Sequence, residues 1–375
     1  MKRLLLIVAL LSPVIVLAQK TMPKTFDLVV GAYTKGSSKG IAVYRFYAET
    51  GRVAYLSQID GVSNPSYLCI SSNNKFVYAV NENDEGEVSA FSFEPKTGAL
   101  KFINKVSTLG GAPCYVSIDK AQKSLFVANY SGGNIAVLPL NEDGSIAPAV
   151  QTIRDPGHGP NAARQEKAHV HTAVLSPDEK YVFYTDLGTD KINVTKYKAK
   201  KDNPLTPAKP AFYSIAPGGG PRHIDFSADK KHLYLIQEMG SAVTVFDYDN
   251  GKLTQKQTVT LLPDGFTGST GAADIHVSPD GRFLYASNRG DANDITVFSI
   301  NQENGELTFI DRKPSGGKSP RNFVIDPTGS FLLVANQNSD NVFVYRIDKN
   351  TGKLMQAVSR LDIGSPVCLK FAPAQ

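Results

Sequence analysis

The sequence predicts an all-β fold: a seven-bladed β-propeller with four antiparallel strands per blade, its ring closed by one blade that the N- and C-termini share. Three observations predict it. Runs rich in Val, Ile, Phe and Tyr recur along the chain, bounded by Gly, Asn, Asp and Pro, and no long stretch has helical periodicity. A two-strand unit repeats in order. The two ends of the chain carry complementary parts of one further unit.

The chain has 375 residues. Its first residues read as a signal peptide over 1–18: basic Lys2 and Arg3, an apolar run Leu4–Leu17, and a small-residue cleavage site ending at Ala18. The apolar run is roughly 14 residues against the ~20 a membrane helix needs, so no membrane span is expected. No Cys follows it to accept a lipid. The mature chain, residues 19–375, is expected to be exported, periplasmic or secreted, as a single propeller domain and a monomer. The formal net charge is +5, and two of those positives lie in the leader. No Lys/Arg block interleaved with aromatics occurs, which argues against nucleic acid. Cys69, Cys114 and Cys368 are odd in number, lack C-x-x-C spacing and fall in apolar runs, so buried free thiols are expected.

Six hairpins follow in order. NPSYLCIS (64–71) leads into KFVYAVNE (75–82), and APCYVSID (112–119) into SLFVANY (124–130). HVHTAVLS (169–176) leads into KYVFYTDL (180–187), and GPRHIDF (220–226) into HLYLIQE (232–238). AADIHVS (272–278) leads into RFLYASNR (282–289), and PRNFVID (320–326) into SFLLVANQ (330–337). A seventh half-copy, SPVCLKF (365–371), has no second strand. Aligned first-strand positions are 66, 114, 171, 222, 273, 321 and 367, a period of 46 to 57 residues. Two more strands lie between copies, which makes four per repeat, the size of a propeller blade. The mature N-terminus supplies the missing strands at 27–33, 40–46 and 52–59. A shared blade leaves no free edge strand.

The first strand of a blade lies nearest the axis, so its start and the end of the second strand share one rim of the channel. Six pairs are spaced by sixteen: 66/82, 114/130, 171/187, 222/238, 273/289 and 321/337. Positions symmetric about a hairpin turn lie opposite each other, which places Arg222 across from Glu238. Arg222, Arg289, Arg321, Glu82, Glu238 and His171 converge on this rim, with His169, Asp186, His223, Asp274, Asn288 and Asn336 one or two places away. Packing of blades does not require such residues, so the rim is the candidate site. Arginines suit an anion or an oxyanion, and Glu238 suits a general base or an electrostatic anchor. His169 and His171 are spaced as a metal pair could be, with His223 or Asp186 as a third ligand, but an acid–base or binding role for His171 is preferred and no metal or organic cofactor is expected. The longest insertion, 155–167, is a Gly/Pro-bearing loop over the rim that can contribute Arg164 and Gln165. The G-x-S-x-G at Gly36–Gly40 joins two strands instead of a strand and a helix, so it is not a nucleophile elbow. Ser339–Asn341 is likewise an inter-strand turn.

GAYT (31–34), NPSY (64–67), GAPC (111–114), GPN (159–161) with Arg164 and Gln165, AHVH (168–171), GPRH (220–223), ASNR (286–289) and PRN (320–322) occur in this order. On these stretches the chain resembles the seven-bladed propeller lactonases of the 6-phosphogluconolactonase and cycloisomerase-2 type, which include the fungal carboxy-muconate lactonizing enzymes. The resemblance implies a lactone hydrolase for a sugar or aldonic acid lactone, with a functional set of one His, one Glu and two Arg that falls on His171, Glu238, Arg222 and Arg289. It departs from typical members at Tyr115, where they carry His. A muconate-type cycloisomerase and a non-catalytic envelope propeller that binds a ligand or partner on the same rim are the alternatives.

Overall fold

The computed structural model describes residues 24–199 and 202–374. The leader 1–18 lies outside them. Among the described residues no helix is long and apolar enough to cross a membrane.

Seven four-stranded antiparallel sheets form the ring. Blade 1 runs Leu68–Ile70, Phe76–Asn81, Glu87–Glu94 and Ala99–Ser107, from inside outward. The inner strands of blades 2 to 6 are Pro113–Ile118, Val170–Leu175, Pro221–Phe226, Thr270–Val277 and Pro320–Ile325. Blade 7 takes its inner strand, Pro366–Pro373, from the C-terminus and pairs it with Thr25–Ala32 from the N-terminus, followed by Gly40–Tyr47 and Arg52–Asp60. This is the closure that the two incomplete sequence ends predict.

Burial follows position in the blade. Second strands such as His232–Gln237 and Phe331–Asn336 are buried at every residue. Both of their faces are covered by neighbouring blades, so they read as continuous apolar runs and not as alternation. Outer strands such as Lys252–Thr260 are mostly exposed. The apolar core is divided into clusters between blades, for example Tyr234, Val245, Ile275 and Leu284 between blades 4 and 5, as expected when each unit packs only on its neighbours.

One turn recurs in all six complete hairpins. Its left-handed residue is Asn74, Gln122, Glu179, Lys230, Gly281 or Gly329, with φ between 54° and 74°. Each lies midway between the residues spaced by sixteen. The serine that opens the turn, as in Ser176, Ser227 and Ser278, accepts the first backbone N–H of the second strand through its Oγ.

The register corrects one expectation. Gly220, not Arg222, faces Glu238: the Glu238 N–H donates to the Gly220 carbonyl at 2.7 Å. The same two-residue offset joins Glu82 to Asn64, Tyr130 to Ala112, Leu187 to His169, Arg289 to Gly271 and Gln337 to Ser319. The cause is a β-bulge at the entry of six inner strands, at 114, 171, 222–223, 273–274, 321 and 367. Six of the seven aligned first-strand positions are thus bulged residues. A bulge bends the strand and re-aims a side chain, and here it turns Cys114, His171 and Arg321 toward the channel mouth.

Candidate active site

Where the inner strands begin and the second strands end, a cavity of about 410 Å³ opens. Arg164, Arg289, Arg321, Glu82, Glu238, His171, Cys114, Tyr33 and Tyr130 line it, with Thr270, Gly271 and Ser319. Bulges deliver Cys114, His171 and Arg321. Ends of second strands deliver Glu82, Tyr130, Glu238 and Arg289.

Glu238 is the centre of charge. Its Oε2 lies 2.9 Å from Arg222 Nε and 3.0 Å from Arg289 Nη2, and its Oε1 lies 2.7 Å from Arg164 Nη2. Burial disfavours its ionised form, but Arg289, Arg222 and Arg164 outweigh burial and hold its pKa far below the carboxylate range. Arg222 is 1% exposed. Its Nη1 donates to the Ala273 carbonyl and approaches His223 Nε2 at 3.4 Å. Arg289 Nε donates to the Gly271 carbonyl at 2.8 Å. Burial lowers the Arg289 pKa to about 10, with Arg222 and Arg321 adding to the effect and Glu238 resisting it.

On the other side of the cavity the Tyr33 hydroxyl donates to Glu82 Oε2 at 2.9 Å. Arg321 stands 3.9 Å from that oxygen, with its guanidinium 5.5 Å from the centroid of the Tyr33 ring. His171 is buried, with Nδ1 3.8 Å from Cys114 Sγ. Burial, then Arg222, His223 and Arg321, push its pKa well below the usual imidazole value, so it is neutral near pH 7. Burial also raises the Cys114 thiol far above its ordinary range, which makes it a poor nucleophile.

His223 lies behind the cavity wall. Its Nδ1 is 2.8 Å from Asp274 Oδ1, and the Arg222 contact at Nε2 fits a neutral ring protonated on Nδ1. Burial and Arg222 lower its pKa to about 4 against the opposing pull of Asp274. Asp274 also accepts from Asn322 Nδ2 and faces His276 Nε2 at 3.1 Å, which ties blades 4, 5 and 6 together.

Of the residues expected at the rim, Glu238, His171, Arg289, Arg321 and Glu82 line the cavity, and Arg222 supports Glu238 from behind. Six others are engaged elsewhere. His169 stacks on the Tyr130 ring, donates to the Tyr130 carbonyl at 3.1 Å and lies 3.1 Å from Glu166. Asp186 accepts the backbone N–H groups of His169 and Gly188 and the Thr189 hydroxyl. Asn288 accepts from Gly271 N, and Asn336 donates to Ser315 and Asn341. His223 and Asp274 bond to each other behind the cavity wall. Among the described residues no group of three or more His, Cys, Asp or Glu could hold a metal ion. All three cysteines are free.

The glycines at 218–220 serve the fold. Gly218 N and Gly220 N donate to the Asp190 carboxylate at 2.7 and 2.8 Å, so they fix the turn that delivers Arg222. In the insertion, Gln165 is buried and bonded to Leu187 and Asp190, while Arg164 reaches the cavity.

Tyr33 lies outside the set that the hairpin spacing predicts. Its N–H donates to the Ser365 carbonyl at 3.0 Å, so it is the blade 7 counterpart of Glu82 and Tyr130. The spacing of sixteen cannot find it, because its partner strand is at the other end of the chain. Aligning the N-terminal strand as the second strand of blade 7 would have done so.

The family described as "Lactonase, 7-bladed beta-propeller" matches residues 27–371. The chain is 38% identical to a 6-phosphogluconolactonase of Bacillus subtilis, covering 91% of this chain and 97% of that one. It is 36% identical to a 6-phosphogluconolactonase of Formosa agariphila, covering 92% and 99%. The solved structure of a periplasmic gluconolactonase of Pseudomonas aeruginosa superposes with a TM-score of 0.90 at 41% identity, covering 94% and 100%.

Proposed function

Because the chain belongs to the seven-bladed β-propeller lactonase family, we propose that it hydrolyses aldonic acid lactones in the arginine-rich cavity at one rim of its channel. The observation that carries this is the cavity's charge: three arginines line it against two glutamates, and a fourth, Arg222, stands behind Glu238. Attack of water on a lactone carbonyl puts negative charge on the carbonyl oxygen, and fixed guanidinium groups in a partly dry site stabilise that charge. The product is a carboxylate, which the same field accommodates. Neutral His171 lines the same cavity as a hydrogen-bonding group for the bound lactone. Glu238, held ionised by its arginines, supports this reading as an electrostatic anchor rather than a base.

The substrate class rests on the relatives' names and on the polar, cationic lining. Export is also proposed, supported by the leader Lys2–Ala18 and by the likeness to a periplasmic gluconolactonase. Cell fractionation and N-terminal sequencing test it, with a mature start near Gln19 expected.

The activity test is pH-stat hydrolysis of glucono-δ-lactone and its 6-phosphate by the mature protein. A rate above spontaneous opening on at least one is expected. Rates equal to background on both, and on a panel of γ-lactones, would reject the proposal. The ratio of the two substrates decides whether the arginines read a phosphate.

A further inference from the structure

The cavity's two carboxylates are not equivalent. Both Glu238 oxygens are taken up by arginines at 2.7 to 3.0 Å. Arg222 and Arg289 share the Glu238 carboxylate and also donate to the Ala273 and Gly271 backbone carbonyls. Their hydrogen-bonding capacity is largely spent inside the protein. Glu82 differs: Oε2 accepts one hydrogen bond, from Tyr33, and among the described residues Oε1 accepts none. Arg321 differs in the same way. Among the described residues it donates no hydrogen bond, its nearest charge is Glu82 at 3.9 Å, and its side chain is 16% exposed. A guanidinium with five donors in a half-closed cavity has a strong need for an oxygen partner.

We infer that Glu82 is the base that activates the attacking water and that Arg321 receives the developing oxyanion; this rests on the lactone-hydrolase reading. Glu82 takes a proton from water as the water oxygen bonds to the lactone carbonyl carbon. The carbonyl π pair moves onto oxygen, facing Arg321. As the oxyanion collapses, the bond from that carbon to the ring oxygen breaks, and protonated Glu82 returns its proton to the departing oxygen. The products are a free hydroxyl and a carboxylic acid, which loses its proton to solvent. Tyr33 is a positioning residue whose hydroxyl fixes the carboxylate. The three come from blades 7, 1 and 6, so closing the ring assembles this side of the site.

The test compares kcat and KM of wild type, Glu82→Gln, Glu82→Ala, Glu238→Ala and Arg321→Ala on the best gluconolactone. Loss of a general base lowers kcat by about 10²- to 10⁴-fold, so Glu82→Gln is expected in that range with KM little changed. Formate is expected to restore part of the turnover to Glu82→Ala and none to Glu238→Ala. Arg321→Ala is expected to lose about 10²- to 10³-fold in kcat, as for an oxyanion donor. If Glu82→Gln does not fold, Glu82→Asp keeps the charge and withdraws it by one methylene; a tenfold or larger fall in kcat at an unchanged melting temperature supports the assignment, and an unchanged kcat overturns it. Wild-type turnover with Glu82→Gln undiminished, or formate rescue confined to Glu238→Ala, overturns the assignment alone. A wild type no faster than spontaneous opening overturns the hydrolase reading with it.

Discussion

Arg222 Nε lies 2.9 Å from Glu238 Oε2 although the two residues are not opposite each other in the hairpin. The bulge at 222–223 turns the guanidinium back along the strand to reach a carboxylate two residues out of register. The pair is buried, and Arg289 and Arg164 also reach this carboxylate, so one negative charge serves three guanidinium groups.

Removing that carboxylate leaves Arg222 and Arg289 buried without their counter-charge. Glu238→Ala is expected to cost about 3–5 kcal/mol of stability, read by urea unfolding. Glu238→Gln keeps hydrogen-bond acceptance and is expected to cost less. Equal stability of Glu238→Ala and wild type would show that the cluster is not electrostatically balanced by Glu238.

Acid sensitivity begins with a histidine. His223 has a folded pKa of about 4 against an ordinary 6.5, so between these values the unfolded chain binds more protons than the folded one. Stability therefore rises with pH across that window and is lost as pH falls through it, by about 3 kcal/mol in all. His171 shifts in the same direction. Glu238, depressed from its ordinary 4.5, adds a loss only below that value. His223→Gln is expected to flatten the slope of unfolding free energy between pH 6.5 and 4, measured by denaturant titration at stepped pH. An unchanged slope would assign it to other groups.

Cys114 faces the cavity but carries a protonated, buried thiol. Iodoacetamide at neutral pH is expected to leave lactone hydrolysis intact over an hour. Inactivation that substrate prevents would show a reactive thiolate there.

Arg164 comes from the inserted loop and its side chain is 46% exposed, while Glu238 keeps two other arginines. Arg164→Ala is expected to raise KM several-fold and to change stability by less than about 1 kcal/mol. Steady-state kinetics with a melting curve separates the two effects.

Gly31 marks the ring closure. A Cβ there would overlap the Pro65 carbonyl oxygen and press on Leu68 of blade 1. Gly31→Ala is expected to destabilise the whole propeller by about 1–3 kcal/mol. A melting temperature equal to wild type would show that blades 7 and 1 can part without cost.

The sequence by itself determined the number of blades, their order and the shared closing blade, because each of the six complete hairpins carries its own turn residue at a fixed place and the two chain ends carry complementary parts of the seventh. It also determined which positions crowd one rim, since a spacing of sixteen about a left-handed residue such as Lys230 is a local property of the chain. What only the tertiary structure decided is which of those side chains meet. His169 and His171 are two residues apart, spaced as a metal pair could be, yet the bulge at 171 sends one to Cys114 and the other to Glu166. Tyr33 and Glu82 touch across blades that join only when the two chain ends pair, and Arg164 reaches Glu238 from a loop 74 residues away. Bulge geometry and ring closure set these contacts, and both depend on partners that no local pattern encodes.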